Sequence, residues 1–286
     1  MPRADTMELL RAARRGGYAV PAFDISNYET FRAAVEAAEE ERSPVILMVL
    51  QLDAPDGGLE YLSALIKQAQ ARATVPVALH LDHALDPEWA FRAVDLGFDS
   101  VMIDGSGLPF EENVAVTRRV VEYAHTRGIG VEAELGHVGF SGHTVDESPG
   151  AAVLTEPEEV VAFVERTDVD ALAVAIGTCH GLYTEPPRLD LERLSAIEAV
   201  SPVPLVLHGG SGNPDEAIRE AIRRGITKVN IYTELLDAFI GTLRGVLSRP
   251  ESEAAWAYRL LPECMAAARE LVRRKIWLCG SGAGHR

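Results

Sequence analysis

The chain has 286 residues and a formal charge of −16, from 43 acidic against 27 cationic side chains. A field of that sign repels phosphate backbones and anionic lipid surfaces, which excludes nucleic acid and membranes as expected partners. Apolar residues at 47% and charged residues at 24% exclude a disordered or collagen-like chain, and the length is close to the roughly 250 residues of one α/β barrel.

Residues 1–17 read as an amphipathic helix with no signal-peptide core, and no later apolar run approaches the roughly 18 residues of a membrane span. Eight short apolar, β-rich runs follow: AVPAFDI (19–25), PVILMVL (44–50), PVALHLD (76–82), SVMIDG (100–105), VEAELG (131–136), DALAVAIG (170–177), PLVLHG (204–209) and KVNIYT (228–233). Near-continuous apolar strands alternating with helical patterns indicate a parallel sheet covered on both faces. The helices carry their own punctuation. Ser26 with Glu29, and Thr155 with Glu158, read as capping boxes. Asp86–Pro87 opens a helix that Gly97 stops, and Asn213–Pro214 opens one that Gly225 closes.

Eight strand–helix units predict a (β/α)8 TIM barrel. A doubly wound open sheet is the rival, but no GxGxxG follows the first strand. Residues from about 248 to 286 read as a helical tail packed on the barrel or on a second subunit, ending in a flexible GSGAG (280–284). With no Pro-, Gly- or Ser-rich linker, residues 1–286 read as one domain. Three cysteines without paired spacing (Cys179, Cys264 and Cys279) predict no disulfide framework and a cytoplasmic location.

In a barrel, reactive groups gather at the C-terminal ends of the strands. The third strand here ends in Asp82–His83 and the fourth in Asp104. The fifth carries Glu132 and Glu134 on one face, and the sixth runs into Thr178–Cys179–His180–Gly181. The seventh ends in His208–Gly209–Gly210–Ser211–Gly212, and the eighth carries Asn230 and Thr233. Histidines at three strand ends can converge on one zinc and leave a fourth position open, although each could instead be a separately satisfied polar residue. His80, inside the barrel by parity, is expected in the core or supporting the site; His125 and His285 are expected to face solvent. Glycine runs before a helix bring bare amides to the mouth, where barrels commonly cradle phosphate; a tight turn is the plainer alternative. Lys67, Lys228 and Lys275 are the only lysines, with Lys228 at the far end of its strand and the other two on helices, which leaves few candidates for Schiff-base chemistry.

At these residues the sequence resembles the class II, zinc-dependent ketose-bisphosphate aldolases, which include fructose- and tagatose-1,6-bisphosphate aldolases. The resemblance rests on LHLDH (79–83), SVMIDGSGLPFEENV (100–114), VEAELG (131–136), LAVAIGTCHGLY (172–183), PLVLHGGSG (204–212) and KVNIYTEL (228–235). Its register is most like the tagatose-type branch. It implies a catalytic Zn2+ on His83, His180 and His208, with Asp82 as proton donor. It also implies a second cation position, or the metal's alternate site, at Asp104 and Glu134. Gly181, Gly209, Gly210, Ser211, Asn230 and Thr233 would hold the dihydroxyacetone-phosphate half of a sugar-phosphate substrate. The implied reaction is reversible aldol cleavage of a ketose 1,6-bisphosphate type of substrate, in a homodimer or homotetramer. A zinc-dependent barrel hydrolase and a non-catalytic, sugar-phosphate-binding barrel are the alternatives.

Four positions depart from the family pattern. Asp24 stands where Asn is usual, Leu50 replaces a small polar residue, and Tyr232 replaces Asp or Ala. A loop that normally reads GGxED is Gly139–Phe140–Ser141–Gly142–His143, without its glutamate. His143, Asp146 and Glu147 in the same segment, or His180, are the candidates to replace that glutamate as a base.

Overall fold

The computed structural model describes residues 4–54, 57–141, 152–181, 183, 187–250 and 256–284. Eight strands close a parallel barrel. They are β1 (Val20–Asp24), β2 (Val45–Leu50), β3 (Val77–Ala84), β4 (Ser100–Ile103), β5 (Gly130–Leu135), β7 (Ala171–Val174), β9 (Leu205–Leu207) and β10 (Ile226–Ile231), the last pairing back onto β1. Each expected strand run overlaps one of them. The two intervening strands, β6 (Gly139–Ser141) and β8 (Cys179–Gly181), form a small parallel pair beyond the ends of β5 and β7, with Phe140 in register with His180.

The two-residue side-chain period sorts each strand into two environments. Phe23, Leu47, Leu79, Leu81, Val101, Val131, Leu172, Leu207 and Ile231 pack outward in the layer between sheet and helices. Val20, Ala22, Ile46, Met48, Ala78, Ala171, Ala173 and Val206 pack inward and form one cluster with Met7, Leu10 and Ala13 of α1 (Thr6–Gly16). Helix α1 thus plugs the N-terminal end of the barrel. Its approach is so close that a Cβ on Gly130 would lie 2.4 Å from Met7 Cγ. With the bottom filled by apolar side chains, the inward positions near the C-terminal strand ends are left to Asp24, Asp82, Glu134, His208 and Asn230.

Several helix starts differ from expectation. Helix α2 (Tyr28–Glu41) is capped by Asn27, whose Oδ1 accepts from Thr30 N at 2.8 Å; Ser26 instead donates to Asp53 at 3.0 Å. Thr155 does not cap α6 (Pro157–Thr167): its buried hydroxyl donates to Leu135 O and accepts from Ala175 N, tying β5 to β7. In the first case the 3-10 turn after β2, and in the second the ends of two strands, took the hydroxyl that the helix would have used. Asp86–Pro87 caps α4 (Pro87–Asp95) as read.

The tail is α10 (Ala257–Cys279), which follows α9 (Thr233–Leu247) and packs on α2 through Trp277 Nε1 to Glu41 Oε2 (2.7 Å) and Arg273 Nε to Glu41 Oε1 (2.8 Å). Its end is docked rather than free. Gly280 takes the left-handed cap conformation at φ 67°, and buried Ser281 bonds Ser43 Oγ at 2.7 Å. His125, expected in solvent, is half-buried with Nε2 at 2.8 Å from Asp170 Oδ2; His285 lies outside the described residues. No described helix is long and apolar enough to cross a membrane, and the three cysteines are free.

Candidate active site

Strand alternation alone would send His83 outward, since its neighbour Asp82 points inward. The chain changes course instead: the β3–β4 register shifts between Leu81 and Ala84, and His83 adopts φ +44°, a conformation costing about 1–3 kcal/mol in a non-glycine residue. Both side chains therefore enter the mouth. His83 Nδ1 lies 2.8 Å from Asp104 Oδ2, and because the carboxylate can only accept, the ring proton sits on Nδ1 and Nε2 keeps a lone pair. Asp82 Oδ1 accepts from Asn230 Nδ2 at 3.0 Å, and its Oδ2 is 3.9 Å from His83 Nε2.

His208, just past β9, has Nε2 at 2.9 Å from Glu132 Oε1 and Nδ1 at 3.1 Å from Glu134 Oε2. His180 is held on β8 by its pairing with β6. The three rings meet at centroid distances of 4.9 Å (His83–His180), 4.6 Å (His83–His208) and 5.9 Å (His180–His208). One ligating atom from each lies within 4.8 Å of the other two, and the same holds for the overlapping set His83, Asp104 and Glu134.

This donor set suits a cation. His83 Nε2, His208 Nδ1 and Glu134 Oε2 are buried without a hydrogen-bond partner. With one proton of His208 committed to Glu132, its Nδ1 and the Glu134 oxygen face each other as lone pairs, an arrangement that positive charge between them relieves. The field has the matching sign. Burial disfavours protonation of His83, yet the carboxylates of Asp82 and Asp104 prevail and raise its pKa well above the usual imidazole range. Burial likewise opposes a charge on His208, but the neighbouring carboxylates of Glu132 and Glu134 raise its pKa. Asp104 is held low despite its burial by the bond from His83. His180 goes the other way, lowered by burial and by its histidine neighbours. Two imidazoles and two flanking carboxylates thus compete for positive charge at one point.

The rim beside His180 and His208 is built from backbone. Gly209 has φ +62°, and a Cβ there would lie 2.4 Å from Cys179 O; a Cβ on Gly210 would lie 2.6 Å from Asn230 O. Only glycine lets these segments touch. Gly181, at φ +92°, sits on the half-buried rim of β8. Ser211 Oγ accepts from Glu234 N at 3.3 Å, bringing the glycine run to the first turn of α9, which Thr233 begins. Helix α8 (Asp215–Arg223) also starts beside this run. Amides and two helix N-termini are donors of the kind that bind anions.

Three contributors were missed in the sequence. Tyr183 Oη accepts from Cys179 N at 2.7 Å and donates to Gly209 O at 3.0 Å, locking the two rim segments together. Lys228 is fully buried inside the barrel, donating to Glu132 Oε2 at 2.7 Å. Glu132 was read as sharing a face with Glu134, but its pairing with Lys228 and His208 was not read. Inward parity of residues 132, 208 and 228 was the available signal.

The departures cluster at the β1–β2–β10 side. Asp24 is buried with Oδ1 unpartnered, and burial together with the charge of Asp82 raises its carboxyl well above the usual range. Tyr232 donates to Asp53 Oδ1 at 3.2 Å, and burial pushes its phenol up. His143, Asp146 and Glu147 lie outside the described residues. All three lysines are already paired: Lys228 with Glu132, Lys67 with Leu96 O and Lys275 with Glu234.

A closed barrel that gathers acids, imidazoles and bare amides at one rim is an enzyme of the (β/α)8 class. The model of the class-II fructose-bisphosphate aldolase family matches residues 4–284, and the chain belongs to that family of lyases. Among solved structures it is similar to the YdjI aldolase of Escherichia coli K12, at 36% identity over 99% of both chains and a TM-score of 0.87. A Coccidioides immitis protein provisionally assigned as a fructose-1,6-bisphosphate aldolase is 33% identical over 100% of this chain and 99% of its own, with a TM-score of 0.86. The fold is shared with the fructose-bisphosphate aldolase of Campylobacter jejuni, at 24% identity, coverage of 96% and 94%, and a TM-score of 0.79.

Proposed function

We propose that this aldolase carries out zinc-dependent, reversible cleavage of a phosphorylated ketose, of the ketose 1,6-bisphosphate type, to dihydroxyacetone phosphate and an aldehyde. The observation that carries the reading is the convergence of His83, His180 and His208 beside Asp82 and next to the glycine rim. His83, His180 and His208 would hold the zinc, with Asp104 and Glu134 as its alternate or a second cation position. When bound, zinc supplies Lewis-acid polarisation of the ketone, the role a Schiff-base lysine fills in other aldolases.

The remaining work falls to side chains and amides. Asp82 takes the hydroxyl proton at the carbon next to the breaking bond during cleavage and returns it to the aldehyde oxygen during condensation. Asn230 holds that carboxylate by its 3.0 Å hydrogen bond and leaves its own Oδ1 for substrate. Gly181, Gly209, Gly210, Ser211 and Thr233 bind the phosphate through amides and hydroxyls. The exposed Leu247, Trp256 and Tyr258 near the α9–α10 corner suit contact with a second subunit, in a homodimer or homotetramer. Residues 1–286 act as one cytoplasmic domain in this reading.

The test is a screen of phosphorylated ketoses with zinc-loaded protein, coupled to triose-phosphate detection. Release of triose phosphate that stops on chelation and returns with zinc is the expected result. Zinc-dependent hydrolysis without carbon–carbon cleavage would identify a hydrolase, and tight binding without turnover a sugar-phosphate-binding barrel.

A further inference from the structure

The barrel interior holds more than packing. Layers of branched apolar side chains normally fill a (β/α)8 core. Here a continuous polar column runs through them from the plug helix to the mouth. Thr6 Oγ1 of α1 accepts from Ser100 Oγ at 2.9 Å, and Ser100 Oγ meets His80 Nδ1 at 2.7 Å. His80 Nε2 lies 3.3 Å from Lys228 Nζ, Lys228 Nζ is 2.7 Å from Glu132 Oε2, and Glu132 Oε1 is 2.9 Å from His208 Nε2. Every member of the column is buried.

The proton positions follow from valence. An ammonium has donors only, so His80 Nε2 accepts from Lys228 and the His80 proton is on Nδ1, donated to Ser100. Glu132 accepts Lys228 on one oxygen and therefore turns the other to His208, whose Nε2 must carry the proton. That leaves Nδ1 of His208 as the lone pair directed at the cation site. His80, Asp82 and Glu132 could themselves hold a cation, but the Lys228 ammonium already occupies that position in the core.

Stability is a poor reason to keep such a pair, because apolar side chains of similar volume are commonly as stable in its place. We propose that Lys228 is a positioning residue for the metal site: through Glu132 it fixes His208 in the Nε2–H tautomer with Nδ1 presented to zinc. The inference rests on the zinc reading above. Without Lys228, Glu132 is a lone buried carboxylate that gains a proton or turns to His80, and His208 loses the acceptor that fixes its ring.

Two measurements test this: zinc dissociation constants from competition with a chromogenic chelator, and ring-nitrogen NMR shifts of His208 in the zinc-free full chain at a pH high enough for its ring to be neutral. Lys228→Met is expected to weaken zinc binding by about 10–100-fold, the usual effect of removing a partner behind a ligand, and to release the Nε2–H tautomer into a mixture. If that variant does not fold, Lys228→Met/Glu132→Gln removes both charges together and is expected to show the same two changes. Zinc affinity within about twofold of wild type, or an unchanged His208 tautomer, in the folded variant overturns the proposal. Failure of the wild-type chain to bind zinc overturns instead the reading on which it rests, and the tautomer measurement tells the two failures apart.

Discussion

The two sides of the barrel mouth are made from different materials. One is a set of side chains, His83, Asp104, Glu134 and His208, each braced by a charged or hydrogen-bonded neighbour. The other is backbone, made of glycines so close to adjacent chain that a single methyl collides. In the proposed function, deleting atoms is expected to destroy activity on the first side, and adding them on the second. Charge binding would then be divided between a site whose strength comes from ionisable groups and one whose strength comes from oriented dipoles.

The sharpest way to break this contrast is His208→Ala. It removes a ring bonded to two carboxylates, and we expect loss of stoichiometric zinc with a fall in turnover of about 10³-fold or more, equivalent to several kcal/mol of barrier. Metal analysis alongside the aldolase assay checks it, and full activity without metal would refute the role. Asp82→Ala should leave zinc content and substrate KM nearly unchanged while lowering kcat by roughly 10²–10⁴-fold, the range for a lost general acid–base. Unchanged kcat would take Asp82 out of the reaction.

The backbone side is probed by addition. Gly209→Ala places a Cβ 2.4 Å from Cys179 O in a residue at φ +62°, so a stability loss of about 1–3 kcal/mol is expected. KM for the phosphorylated substrate should rise about tenfold, the effect of roughly 1.4 kcal/mol of lost phosphate binding, with zinc retained. Loss of zinc instead would mean that the two sides are not separable. Urea titrations at several pH values would read that stability loss and a fourth effect.

That fourth effect concerns His80. Burial, followed by the nearby Lys228 charge, lowers its pKa to about 3. The unfolded chain binds a proton there below the ordinary value of about 6.5 and the folded chain does not, so His80 lowers stability as pH falls from about 6.5 towards 3. His80→Gln can donate to Ser100 and accept from Lys228 without titrating. It should flatten the stability slope in this window by about one proton, roughly 1.4 kcal/mol per pH unit. An identical slope in the variant would place the proton elsewhere.

The barrel was legible because its strands are buried on both faces and stand out as apolar runs. The C-terminal ends of those runs located the histidines, the acids and the glycines. What was not legible depends on non-local partners. Ser26 and Thr155 have cap-like spacing, but Asp53 and the β5–β7 seam claimed their hydroxyls. The strands β6 and β8 have three residues each, too few for a period. Lys228 reads as the far end of its strand but lies mid-strand in β10, and the pairing of its ammonium with Glu132 spans 96 positions and shows only when the barrel closes.

The bend at the end of β3 has one further consequence. Because Asp82 and His83 are consecutive and both turn inward, the proposed proton-transferring carboxylate and a proposed cation-binding imidazole stand on either side of one peptide unit. Covalent geometry holds their backbones together, so breathing of the surrounding helices carries the two Cα atoms as a pair. In the proposed reaction, acid–base group and metal seat would therefore move together. Selection acting on the aldehyde side, at Asp24, Leu50 or Tyr232, can reshape the cavity without detuning that hinge-free couple.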